Sequence, residues 1–362
     1  MPVQLGPSLS PWIANSAISA RSTSTVSRSP RFASTVTPER ALPARTLPIL
    51  ASAVLVICAV ATPLSASAAT AVTVSTVAQL TSALASATPG TVITLADGKY
   101  LGKFTGAQSG TAGAPITVTG SRRAVLTTGS ATQSGYALHL TAPYWNLSGF
   151  SVTQAAKGIV LDNSDFSVID GVNVGSIGQE AVHVRTSSSN VTIRNSLIHD
   201  TGLKTPAYGE GIYVGSAKSN WGSVMGSSTT PDRSDNVIVE RNTITNTTAE
   251  GIDIKEGTTG GRIIQNSFHR AGWSGENSAD SWVDIKGNGY TISGNTGDST
   301  LLDAFQVHSV LTGWGGQNAF SWNTVTGGVP GYEVNIVSKT AGNTVKCDSS
   351  TATKGLTNIA CS

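Results

Sequence analysis

Charge of either sign is scarce in this chain. Only 12% of its 362 residues are Asp, Glu, Lys or Arg, and they balance to a net +2. Binding a polyphosphate needs a basic surface, so no nucleic-acid partner is expected. Aromatic residues are few as well, at 6%. Gly, Ser, Thr and Asn are abundant instead, a mix that disfavours long helices and favours many short strands joined by turns. A disordered chain can share that composition. It would lack the regular Val/Ile pairs that run from residue 145 onward.

Cysteine is nearly missing, with three in the whole chain. Cys58 falls in a segment that reads unlike the rest. Residues 1–44 are Ser, Pro, Arg and Thr without periodicity, so no fold is expected there. Arg45, the apolar run Leu47 to Ala61 and the Ala66-Ser67-Ala68 site then form a secretory signal. The run is short for a membrane span of about 20 residues. The expectation is therefore a leader over 1–68, a mature domain over 69–362, an extracellular location and no membrane association of the mature form. Cys347 and Cys361 remain, and in an oxidising compartment they should bridge and pin the last coil.

A small polar residue recurs in one context: Gly149, Gly171, Asn195, Asn242, Asn266, Asn295, Asn323 and Asn343. A period of 20–30 residues with Val/Ile pairs describes one coil of a solenoid. The spacing from Asn195 to Asn242 is about two periods, which suggests an extra coil around EGIYVG, its turn replaced by the insertion 216–235. Stacked Asn amides can hydrogen-bond along such a ladder, and Asn tolerates a left-handed corner. The fold class expected is all-β: a right-handed parallel β-helix. A short amphipathic helix from Val77 to Leu84 should cap its N-terminal coil, and the capped solenoid should be a monomer.

The rungs KGIVLD, EAVHVR, EGIYVG, EGIDIK, SWVDIK and AFQVHS set the strand register. Faces alternate along a strand, so Ile159/Leu161, Val182/Val184, Ile212/Val214, Ile252/Ile254, Val283/Ile285 and Phe305/Val307 should point inward. One outward column is then Val160, His183, Tyr213, Asp253, Asp284 and Gln306. A second is Asp162, Arg185, Gly215, Lys255, Lys286 and His308. Glu180, Glu210 and Glu250 open their rungs. In a chain this poor in charge, acids, lysines and histidines gathered on adjacent coils mark a functional face rather than ordinary solvated strands. Trp221, Trp273 and Trp314 sit on flanking loops, where they either stack on sugar rings or pack onto the barrel.

The segments GTVITLADGKYLGKF and GTAGAPITVTGSRRAVLTTG, with the EGIDIK and WVDIK rungs, resemble the parallel β-helix polysaccharide lyases typified by chondroitinase B and related alginate lyases. In that family an acidic calcium ligand precedes the catalytic lysine by five residues, as Glu250 precedes Lys255. A basic residue, usually Arg, follows one coil later, where this chain has Lys286. A second acidic ligand, two residues before the first, is here Thr248. The resemblance implies β-elimination on an acidic, uronate-containing polysaccharide. Lys255 would be the base, with its pKa lowered by metal or by Lys286, and Lys286 would be the second catalytic residue. Ca²⁺ would be held by Glu210, Glu250 and Asp253. Arg185, His183, Tyr213, Asp284, His308, Trp221 and Trp273 are the expected substrate contacts. Two other readings compete. Asp253 and Asp284, about 5 Å apart on neighbouring strands, would suit a retaining glycosidase. A non-catalytic carbohydrate-binding solenoid is the third.

Overall fold

A computed structural model describes residues 70–339 and 342–362. The expected leader and signal over 1–68, with Cys58, lie outside the described residues. Among the described residues no helix is long and apolar enough to cross a membrane.

Among the described residues the chain winds through three parallel sheets, in rotation from Val92–Leu95 onward; the first strand, Ala71–Val74, joins the same sheet as Val92–Leu95. The first holds eleven strands, from Ala71–Val74 to Thr344–Val345. The second holds nine, from Gly98–Leu101 to Thr324–Gly327. The third holds nine, from Phe104–Gly106 to Val334–Ile336. Each strand pairs in parallel with the strand one coil away, which makes the fold a parallel β-helix. Strands of two to six residues suffice because each coil completes its hydrogen bonds with its neighbours.

All the expected inward pairs lie in one continuous core running along the axis. Burying each such Val, Ile or Leu contributes about 1.5–3 kcal/mol against chain entropy. Larger side chains enter the core toward both ends: Tyr100, Phe104, Trp145 and Phe150 in the N-terminal coils, and Phe268, Trp282, Phe305 and Phe320, which form a chain of ring contacts, in the C-terminal ones. The N-terminal opening is closed by the helix Val77–Ser86. Thr76 and Gln79 make a reciprocal capping box there, and Leu80, Ala83 and Leu84 turn inward. At the other end Cys347 and Cys361 are disulfide-bonded.

Two expectations about the ladder change. Asn195 and Asn242 do not bracket an extra coil. The strands Thr192–Arg194 and Ile238–Glu240 pair directly, so those 47 residues form one coil swollen by two loops. The Asn stack also does not occupy the left-handed corner. That corner is Gly149, Gly171, Asn195, Arg241, Gln265, Gly294 and Trp322, all with positive φ. The buried ladder lies one residue later, through Ser196, Asn242, Asn266, Asn295 and Asn323. Each side-chain oxygen accepts from the backbone N–H one coil before it, at 2.9–3.2 Å. Asn195 is therefore exposed beside the ladder. Asn343 belongs to another stack, where it accepts from Asn318 N–H, while Asn318 accepts from Tyr290 N–H. The physical reason is that a buried ladder rewards an amide that both donates and accepts. The exposed corner needs only a tolerable backbone.

Candidate active site

The third sheet carries the polar columns in the expected register. His183 pairs with Tyr213, Tyr213 with Asp253, Asp253 with Asp284 and Asp284 with Gln306. They point away from the core, yet they are not solvated: Asp253 and Asp284 are each 2% exposed. The insertion and the loop 269–281 rise beside them and enclose a long groove. One cleft, of about 640 Å³, is lined by Lys157, Glu180, His183, Arg185, Tyr213 and Lys255, with Ser216 to Val224 of the insertion as a wall. A second, of about 220 Å³, is lined by Glu250, Asp253, Asp284, Lys286 and His308. Lys255 and Asn277 line both. From Lys157 to His308 the groove crosses six strands, or roughly 24 Å at ~4.8 Å per coil. A further cavity of about 550 Å³ beneath the capping helix has no titratable side chain in its lining.

The electrostatics of the centre form an alternating chain. Lys255 Nζ lies 2.5 Å from Asp253 Oδ2, and Lys286 Nζ lies 2.8 Å from Asp253 Oδ1. Lys286 also lies 2.5 Å from Asp284 Oδ2, and Asp284 Oδ1 is 2.8 Å from His308 Nδ1. The stacked lysines are thus compensated from within by the two aspartates. Burial works to lower both ammonium pKa values, but the Asp253 charge outweighs it and pushes both up. In the metal-free site the Asp253 charge thus favours Lys255 as an ammonium ion. Burial works to raise Asp284, but Lys286 and His308 bring its pKa below the usual carboxylate range. Lys286 between the two aspartates also weighs against the glycosidase reading. That chemistry needs one of the two carboxyls free to act as a protonated acid, and here both are ion-paired to lysine.

Beside this chain, carboxylate oxygens of Glu210, Glu250 and Asp253 lie within 4.8 Å of one another. Burial, then the charges of Glu180 and Asp253, raise Glu210 to about 8. Burial, then Asp253, raises Glu250 well above its ordinary value. Glu210 Oε2 is buried without a hydrogen-bond partner. Two oxygens on a common Ca²⁺ at 2.3–2.6 Å lie at most about 5 Å apart, so this donor set fits a calcium ion completed by water.

The other expected contacts divide. His183 donates to Gly215 C=O at 3.0 Å and sits edge-on to Tyr213 with ring centres 4.4 Å apart. Burial holds its pKa well below the ordinary value, so the imidazole is neutral. Lys255 Nζ lies 4.9 Å from the Tyr213 ring centre. Arg185 forks onto Asp162 through Nε at 2.6 Å and Nη2 at 3.0 Å, and also donates to the Tyr136 hydroxyl. Trp221 is not a sugar platform: it is 2% exposed and donates to Ser216 C=O. Its apolar bulk is better buried under the insertion, which Asp232 ties down by accepting from Thr186 N–H, Ser187 N–H and the Ser216 hydroxyl. Trp273 is 40% exposed under the Arg270 guanidinium and lines neither cleft. Asn277, which lines both, was not foreseen. It sits on a loop with φ 54°, where no strand alternation signals its direction.

Comparison with known proteins places this geometry. A family model described as a right-handed β-helix region matches residues 124–275. No curated protein sequence matches. Among solved structures, an alginate lyase from Paenibacillus sp. str. FPU-7 is 37% identical, with a TM-score of 0.73. The match covers 79% of this chain and 97% of that one. A lacto-N-biosidase from Eubacterium ramulus is 10% identical with a TM-score of 0.55, covering 73% of this chain and 54% of that one, and shares the fold alone. With 37% identity over nearly the whole length of a β-helix enzyme that cleaves a polysaccharide, the chain belongs to the right-handed parallel β-helix polysaccharide lyases.

Proposed function

We propose that this lyase acts outside the cell, as a monomer, on a uronate-containing polysaccharide, and cleaves it by β-elimination with Lys255 and Tyr213 at the reacting sugar. The observation that carries the reading is the position of Lys255. It is an ammonium at the junction of two clefts, beside a tyrosine ring, at the end of a buried charge chain. Elimination breaks a C–H bond next to the uronate carboxylate and the C–O bond to the neighbouring sugar, and leaves a C=C bond. Lys255 gives its proton to the departing oxygen. Before the step Tyr213 loses its hydroxyl proton to solvent, against the burial that raises its pKa and with the Lys286 charge opposing that rise; the phenolate then takes the carbon-bound proton and becomes the phenol. Lys286 fixes Asp253 and Asp284, and so holds Lys255 charged and in place. Arg185 and His308 stand at opposite ends of the groove, where they can hold further carboxylates of the polymer.

Glu210, Glu250 and Asp253 would hold Ca²⁺, which supplies positive charge against the uronate carboxylate. The 37% identical relative is an alginate lyase, which supports a uronate substrate. The Cys347–Cys361 disulfide supports an oxidising, extracellular location.

The test follows absorbance of the unsaturated product on alginate, chondroitin, polygalacturonate and glucuronan. One polymer should give the signal. Lys255→Ala should abolish it, and Tyr213→Phe should lower it by roughly 10²–10⁴-fold, both with unchanged circular dichroism. Full activity in either variant would overturn the assignment.

A further inference from the structure

The left-handed corner between the first and second sheets lies on the edge of the coil opposite the third sheet, which carries the cleft. Most positions there suit their backbone or their exposure: Gly, Asn, Arg and Gln. Trp322 suits neither. It has φ 59°, a conformation that bulky side chains rarely adopt. It also recovers little by packing, since it is 60% exposed. One coil earlier the same corner is Gly294, which puts no side chain beside it. One coil later Lys346 places its ammonium 4.0 Å from the ring centre.

We propose that Trp322 and Lys346 form a second, non-catalytic binding site for the acidic polysaccharide, remote from the cleft. Lys346 covers one face of the ring; a pyranose ring presents C–H groups that pack on the other, and the ammonium pairs with a uronate carboxylate that reaches past the ring edge. A polymer-cleaving enzyme gains from such a site because it holds a long chain near the cleft while cut ends leave. Beyond Gly294, Gln265 and Arg241 hold the same corner toward the N-terminus. The inference rests on the uronate reading for the charge of its ligand.

The ordinary explanation for Trp322 is that it shields the end of the helix against the Lys346 stem. Trp322→Gly separates the two. Glycine relieves the left-handed backbone, so a binding residue can be replaced with no loss of melting temperature. A shielding residue cannot. The experiment is affinity electrophoresis through gels containing alginate, polygalacturonate or neutral starch, with Lys255→Ala as the background so that the polymer is not cut. Trp322→Gly should raise the apparent Kd for one acidic polymer by about fivefold, the size of one aromatic contact, with starch without effect. In the otherwise unchanged protein, the same substitution should leave melting temperature and turnover of short oligosaccharides as they were. Unchanged retardation, or a fall in melting temperature, overturns the second site. If the unsubstituted protein cleaves none of the uronate polymers, the substrate reading fails instead.

Discussion

Lys286→Met tests whether the buried charge chain is the device that holds the site. The lysine is 12% exposed and sits between two carboxylates that are 3% exposed, at 2.8 Å from Asp253 and 2.5 Å from Asp284. Methionine keeps much of the volume and removes the charge. Asp253 then keeps Lys255, and Asp284 keeps only His308. Removing one partner of a buried pair costs about 3–5 kcal/mol. At 2–3 °C per kcal/mol for a chain of this size, that lowers the melting temperature by roughly 6–15 °C. The pH dependence gives the sharper check. In the parent protein Asp284 has a folded pKa below its ordinary 3.8, so its ionised form adds stability above that value and loses it only as pH falls further. In the variant burial is opposed by His308 alone, and the folded pKa rises above 3.8. The variant therefore regains stability as pH falls from 7 toward 4. The gap between the two melting temperatures, read by circular dichroism, should be widest near pH 7 and narrow by pH 4.5. A gap of constant width would show that packing, not charge, is what Lys286 supplies.

Further outcomes follow from the same geometry. Asn266→Ala removes side-chain bonds to Asn242 N–H, Asn242 Nδ2, Val239 C=O and Asn295 Oδ1. With these groups fully buried, a loss of about 3 kcal/mol or more is expected in denaturant unfolding, and a loss under about 1 kcal/mol would refute the ladder's role. Ca²⁺ should raise the melting temperature more at pH 8.5 than at pH 6.5, because Glu210 must shed a proton held up to about 8 before it can act as a ligand. Without Ca²⁺, that same raised pKa predicts that stability falls from the ordinary 4.5 toward about 8 as Glu210 is forced to ionise in place. A Ca²⁺ effect that is absent, or equal at the two pH values, would remove these three carboxylates as the site.

The sequence by itself determined the coil, because a strand has only two faces. Once Ile252 and Ile254 point inward, Asp253 must point out, and parallel pairing stacks it on Asp284. The capping helix was equally legible, since its apolar spacing is local; the Thr76/Gln79 box that starts it appeared only in the structure. Tertiary structure decided what one-dimensional spacing cannot carry. Forty-seven residues read as two periods, yet pairing of Thr192 with Ile238 makes them one coil. Asn195 shares the composition of the ladder but sits one residue off it, because the φ of a corner residue depends on the whole turn. Trp221 and Trp273 look alike on their loops, and only packing put one under the insertion and the other in solvent. The charge environment of Lys255 was likewise out of reach of the sequence. A pKa follows from distances to charges three dimensions away, and Asp253 at 2.5 Å outweighs the burial that would otherwise have made this lysine a base.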